Sequence, residues 1–192
     1  MNIGLLGRAR SGKDTAGKWL VERRGYERVA FADPLKEAAL KLDPLVRAGS
    51  WSRLSDVVAV EGWEYAKDDY PEVRRVLQHI GQSIRDLDPD FWLRQTLKAV
   101  DDVEERFGRP VVITDVRYPN EVAALRERGF RLAYIDRPGV PQLDHASERL
   151  TSDDAEFLIP NWSSVAALHH HVGRMWDDVH ERESRRHEAR IY

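Results

Sequence analysis

Cysteine is absent from the 192-residue chain. Disulfides and cysteine-based metal sites are therefore excluded. No apolar run approaches the roughly 20 residues of a membrane span, and the N-terminus enters a strand-like run with no signal-peptide pattern. These absences predict a soluble, cytoplasmic protein with no membrane partner. A basic excess is also missing: 30 Lys and Arg stand against 33 Asp and Glu, for a formal net charge of −3. Proteins that bind nucleic acid generally carry a basic patch or stripe, so small anionic ligands are expected rather than a polynucleotide. No internal repeat or low-complexity linker interrupts the chain. Apolar residues make up 42%, enough for a core at this length. A single domain over residues 1–192 is expected, with room for an insert and a small lid.

Apolar runs and helical stripes alternate along the chain. Asn2 to Leu6 reads as a buried strand and Gly12 to Arg24 as a helix that Gly25 stops. Arg28 to Ala32 reads as a second strand. Asp33 then suits a helix N-cap, with Pro34 at the first helical position. Residues 43–72 mix Pro, Gly, Trp and charge, and read as the start of an insert. Val73 to Leu87 is an amphipathic helix, broken by Asp88-Pro89-Asp90 before another that runs to about Phe107. Pro110 to Thr114 is as apolar as a central strand. A helix over Pro119 to Arg128, a strand over Arg131 to Asp136 and a short strand over Glu156 to Ile159 follow. A last helix spans Ser163 to about Arg182, with a frayed charged tail. This alternation predicts an α/β fold built on a parallel sheet.

The stretch Gly7-Arg8-Ala9-Arg10-Ser11-Gly12-Lys13-Asp14-Thr15 lies between the first strand and the first helix. Its spacing is that of a phosphate-binding P-loop. Glycines let backbone N–H groups curl around phosphate oxygens. The helix start adds unpaired donors and a dipole that favours anions. Lys13 is long enough to reach terminal phosphates. Asp14 stands where Ser or Thr commonly binds Mg²⁺, with Thr15 next; both are candidate metal ligands. The loop predicts a protein that binds ATP through residues 7–15.

Ligands of such sheets sit beyond the carboxyl ends of the strands. Asp33, Asp115 and Asp136 end three strands there. Asp115 follows Val111-Val112-Ile113 and is placed to hold Mg²⁺ through water. Arg117, two residues on, suits a bidentate phosphate contact. Asp33 is explained fully by capping, with an acceptor-orienting role as the alternative. On the helix from Val73, the residues Val73, Val76, Leu77, Ile80 and Ile84 form the stripe that should be buried. Arg74, Gln78, Gly81 and Arg85 form a second stripe suited to an anionic ligand, the glycine allowing close approach. Arg137, His145, Ser147, Glu148 and Arg149 occupy an irregular segment, about 137–152, able to close over a transferring phosphoryl group. His169, His170 and His171 are consecutive helical positions pointing in different directions, so one ion cannot easily collect all three.

In order, these motifs are GRARSGKDT, FADPLKEA (Phe31 to Ala38), LQHIGQSIRDLDPDFW (Leu77 to Trp92), ITDVRYPNEV (Ile113 to Val122) and DHASE (Asp144 to Glu148). Together they resemble the deoxynucleoside monophosphate kinases of bacteriophages, over Asn2 to about Val172. GKDT is a familiar variant of the loop in that group. The resemblance implies a three-layer P-loop fold like that of nucleoside monophosphate kinases, with an acceptor-binding helical region at about 43–107 and a lid. It implies transfer of the ATP γ-phosphoryl group to a deoxynucleoside monophosphate with Mg²⁺, supplying DNA precursors. Arg74, Gln78, Arg85 and Trp92 are then acceptor-site candidates. Asp115 and Arg117 serve the phosphates, and Arg137 and Glu148 belong to the lid. Gln82 stands where a small hydroxyl residue is expected.

Three other readings stay open at this point. One is another small-molecule P-loop kinase, such as a dephospho-coenzyme A kinase. Another is an ATP-binding regulatory module with little catalysis. The third, an ATPase acting on nucleic acid, is disfavoured by the acidic balance and small size. The insert and the final helix are each candidate surfaces for a homodimer.

Overall fold

The computed structural model describes residues 1–140 and 149–191. The chain divides into two compact units, one of Met1–Ala30 with Ala99–Tyr192, the other of Phe31–Lys98.

In the first unit five parallel strands form one sheet in the order β2-β5-β1-β6-β7. They are β1 (Ile3–Leu6), β2 (Glu27–Val29), β5 (Val111–Ile113), β6 (Arg131–Asp136) and β7 (Phe157–Pro160). Ile3 of β1 lies between Val112 and Arg131. β1 and β5 are buried throughout, as expected of parallel strands covered on both faces. On one face Ile3, Leu5, Val112, Ala133, Ile135 and Ile159 pack against helices α1 (Lys13–Arg24) and α7 (Val165–Ile191). On the other, Gly4 brings β1 against Leu125 of α6 (Pro119–Glu127) and against Leu132.

The crossing of α1 over β5 positions the phosphate loop, and it depends on Gly17. A Cβ there would lie 2.3 Å from Cγ2 of the buried Thr114. Thr114 is β-branched and stiff at χ1, so it cannot easily turn away. Gly17→Ala is expected to lower stability by about 1–3 kcal/mol by overpacking, despite alanine's better helix propensity. Denaturant unfolding of Gly17→Ala and of the double variant with Thr114→Ser checks this. The serine lacks the clashing methyl and should recover most of the loss.

Several boundaries differ from expectation by one or more residues. β2 ends at Val29, and α2 (Ala32–Leu42) begins with Phe31 at its N-cap. Asp33 is thus inside the first turn rather than capping it. Its charge still suits the helix dipole there, and Pro34 is tolerated where N–H groups lack intrahelical acceptors. α7 continues to Ile191 instead of fraying after Arg182. No Gly or Pro interrupts that stretch, and Arg185 pairs with Glu181 one turn back. At its other end α7 starts two residues after Ser163, where Ser164 Oγ accepts the Ala167 N–H at 3.2 Å.

The second unit contains α2, a hairpin of β3 (Leu45–Ala48) and β4 (Ser50–Arg53), then α3 (Leu54–Asp69), α4 (Pro71–Leu87) and the start of α5 (Phe91–Phe107). α3 breaks its helical path at Gly62, whose φ is 74°. Ala39, Val46, Leu54, Val57, Ala66, Val73 and Leu77 form its core. The stretch 43–72, unreadable as periodicity, resolves into a short hairpin and a kinked helix. Asp88 joins α4 to α5; its bond from the Arg94 guanidinium holds this carboxyl below the usual carboxylate range. No described helix is long and apolar enough to cross a membrane.

Candidate active site

The loop after β1 takes three left-handed backbone positions: Gly7 (φ 137°), Arg10 (φ 62°) and Gly12 (φ 108°). Gly7 is required twice over, since a Cβ would meet the Ile135 carbonyl oxygen at 2.6 Å and Ser11 Oγ at 2.7 Å. The loop closes with the Ser11 N–H donating to the Arg8 carbonyl (3.1 Å), and α1 begins with Ala16 N–H to Gly12 carbonyl (3.0 Å). Lys13 is buried. Its ammonium donates to the Gly7 carbonyl at 2.6 Å and the Arg8 carbonyl at 2.7 Å. The amine therefore lies across the loop, close to where phosphates would enter, satisfied by backbone oxygens.

The outer side of the loop is tied to neighbouring strand ends. Arg137, one residue past β6, donates to the Arg10 carbonyl at 3.1 Å. Asn161, one residue past β7, donates through Nδ2 to the Ser11 carbonyl at 2.8 Å. Arg8 reaches the Val140 carbonyl at 3.1 Å. The Asp136 carboxylate accepts the Trp162 indole N–H at 3.0 Å.

Beyond β5, Asp115 and Arg117 are half-buried. Glu121 carries this turn: its carboxylate is 1% exposed and accepts the N–H groups of Arg117 (2.8 Å) and Tyr118 (3.1 Å). It thereby holds the backbone that presents Asp115 and Arg117. The pattern of a glutamate at the third helical position is a capping signal, but its burial was not legible in the sequence. Glu121→Ala removes an acceptor from two N–H groups. A loss of about 2–6 kcal/mol is expected at roughly 1–3 per unsatisfied donor, checked by chemical denaturation.

The Arg117 guanidinium has no hydrogen-bond or ion-pair partner among the described residues, and the side chains of Asp14 and Thr15 likewise have none. Asp14 is exposed and Thr15 half-buried. Two carboxylates and a hydroxyl, Asp14, Asp115 and Thr15, are hard oxygen donors of the kind Mg²⁺ takes. No described group of three His, Asp or Glu residues forms a metal cage. Mg²⁺ commonly keeps its waters and substrate phosphates with only one or two protein carboxylates, so this donor set fits a nucleotide-borne ion.

In the second unit, Arg74 pairs with Asp68 at 2.9 Å and Gln78 is exposed on the same stripe of α4, with Arg85 half-buried. At Gly81 a built Cβ would lie 3.2 Å from the Leu35 side chain, so the glycine lets this neighbour pack close to α4. Trp92 is 3% exposed, and its indole N–H is committed to the Gly81 carbonyl at 3.1 Å. Burial makes it a brace between α4 and α5. Asp33 is half-buried. Glu148, with His145 and Ser147, lies outside the described residues. His171 Nδ1 bonds the Pro160 carbonyl at 2.8 Å, and Trp63 lies beside Lys36 (5.7 Å) in the unit's packing.

A strand, a phosphate-shaped loop with its lysine, and a helix, set in a five-stranded parallel sheet, define a P-loop phosphotransferase. The fold agrees with that class: a dephospho-coenzyme A kinase from Campylobacter jejuni superimposes with a TM-score of 0.50 at 12% identity, over 93% of this chain and 96% of that one. Residues 49–172 match the model of the family described as deoxynucleotide monophosphate kinase. A protein of Acanthamoeba polyphaga mimivirus assigned by name to these kinases is 33% identical over 162 residues, 76% of this chain and 79% of the relative. ORF77 of Ictalurid herpesvirus 1, an uncharacterized protein, is 32% identical over 177 residues, 88% of this chain and 68% of that protein. The chain belongs to the deoxynucleotide monophosphate kinase family. The phosphate loop precedes the residues that the family model matches, so its assignment rests on its own geometry.

Proposed function

We infer that the chain transfers the γ-phosphoryl group of ATP to the phosphate of a deoxynucleoside monophosphate, giving ADP and a deoxynucleoside diphosphate. The observation that carries this reading is the closed phosphate loop with Lys13 lying across it, in a chain of this kinase family. An acceptor phosphate oxygen bonds to the γ-phosphorus as the bond from that phosphorus to the β–γ bridging oxygen breaks. The acceptor is already an anion, so no strong general base is needed. Catalysis is positioning and charge neutralisation.

In this reading Gly7, Arg10, Ser11 and Gly12 shape the loop that holds the donor phosphates. Lys13 leaves the Gly7 and Arg8 carbonyls to neutralise β- and γ-phosphate charge. Arg117, whose guanidinium is uncommitted among the described residues, meets the equatorial oxygens of the transferring group. Arg137, which reaches the loop at the Arg10 carbonyl, adds a second positive charge for that group. Mg²⁺, held by Thr15, Asp14 or Asp115 directly or through water, supplies further charge neutralisation when bound. Arg74, Gln78 and Arg85 recognise the acceptor, with Asp33 orienting it; Arg74 must then exchange Asp68 for the ligand's phosphate. Glu148 is assigned to the acceptor as well. Trp92 supports this group by bracing Gly81 on α4.

The setting we propose is cytoplasmic supply of DNA precursors to a virus. The ordered motifs favour a bacteriophage, while the relatives named above come from a mimivirus and a herpesvirus. Neither nucleic acid nor membrane is a proposed partner, and homodimerisation through the insert or α7 is the proposed assembly. The test is ADP formation from ATP and Mg²⁺ with each deoxynucleoside monophosphate, each ribonucleoside monophosphate and dephospho-coenzyme A offered separately. Stimulation confined to deoxynucleotides is expected. Stimulation by dephospho-coenzyme A alone would replace this reading, and ATP binding without any stimulated turnover would leave a regulatory module.

A further inference from the structure

Asn161 lies outside every motif discussed above, yet it touches the phosphate loop at a sensitive position. Its Nδ2 donates to the Ser11 carbonyl at 2.8 Å, across 150 residues of sequence. Its own backbone N–H donates to the Asp136 carbonyl at 2.7 Å, so Asn161 is anchored where β6 ends. The same Nδ2 would lie 2.6 Å from a Cβ at residue 12, against the glycine face.

The Ser11 carbonyl and the Gly12 N–H belong to one planar trans peptide and point in opposite directions. Holding the carbonyl outward therefore aims the Gly12 N–H inward. Gly12 has φ 108°, and glycine tolerates many backbone conformations. The chain itself consequently does little to stop this peptide from turning over, which would offer a carbonyl oxygen to an incoming phosphate. The bond from Asn161 opposes that rotation.

We propose that Asn161 is a positioning residue for ATP: it locks the Ser11–Gly12 peptide so that the loop presents a donor to the β- and γ-phosphates. This rests on the kinase reading only in taking ATP as the ligand. It predicts a loss that falls on the donor nucleotide and spares the acceptor.

Asn161→Leu keeps the approximate volume without the donor; Asn161→Asp puts an acceptor against the Ser11 carbonyl and adds charge near the phosphates. For Asn161→Leu, the KM for ATP should rise about 10-fold, as expected for one lost hydrogen bond to a charged group, and the rise for Asn161→Asp should be larger. The KM for the deoxynucleoside monophosphate should stay within about twofold and the melting temperature within a few degrees. Equilibrium binding of a fluorescent ATP analogue gives the same comparison without turnover, so an inactive wild type would refute the kinase reading while Asn161 is still tested. Wild-type ATP affinity in both variants would overturn the proposal. Equal losses for both substrates accompanied by a large fall in melting temperature would overturn it too, by assigning Asn161 a merely structural role.

Discussion

Lys13→Ala should reduce phosphoryl transfer by at least about 10³-fold while the protein stays folded. The magnitude follows from removing a preorganised charge aimed at developing negative charge; single oxyanion-hole donors alone are worth about 10²–10³. The ammonium now bridges the Gly7 and Arg8 carbonyls, so its removal also unties the loop. Those carbonyls lie in the loop and not in the sheet, and the cores around β1 and around α4 do not include Lys13. Far-UV circular dichroism should therefore be unchanged, with at most a modest fall in melting temperature. Binding of ATP should weaken less than transfer, because neutralisation matters most as charge builds on the bridging oxygen. A folded Lys13→Ala enzyme with wild-type turnover would contradict the phosphate-loop assignment.

Arg117→Ala should lower kcat by about 10²–10³-fold, in line with removing one stabilising charge from a transferring phosphoryl group. The backbone of residue 117 is held by Glu121 and not by its own side chain, so truncation leaves the turn intact. The affected quantity should be kcat more than the KM for ATP. Arg117→Lys retains the charge but loses the planar fork, and should fall between the two. Single-turnover measurements with saturating nucleotide separate chemistry from product release. A loss appearing only in the KM for the acceptor would move Arg117 from the transferring phosphoryl group to acceptor binding.

The parts legible in the sequence are those written in local pattern. The phosphate loop is dense in meaning over nine residues, and its strand and helix follow within the same stretch. The buried stripe of α4 follows from 3.6-residue periodicity, and Val73 and Leu77 are indeed buried while Val76, Ile80 and Ile84 are half-buried. β6 begins and ends at the expected residues. Contacts that a distant partner decides were not legible. The approach of Leu35 to Gly81 and the bond from the Trp92 N–H to the Gly81 carbonyl are of this kind. Asn161 was invisible because its partner, Ser11, lies at the other end of the chain. Asp33 failed as a cap for a local reason: the helix begins two residues earlier, where neither Phe31 nor Ala32 carries a capping signal.

The most direct test of the account follows the phosphoryl group itself. ATP labelled at the γ-phosphate is incubated with the protein, Mg²⁺ and a deoxynucleoside monophosphate, and the products are separated. Label recovered in the β-phosphate of the deoxynucleoside diphosphate, in amounts equal to the ADP formed, is the predicted result. Label appearing only as inorganic phosphate, or remaining in ATP despite demonstrated nucleotide binding, would contradict it.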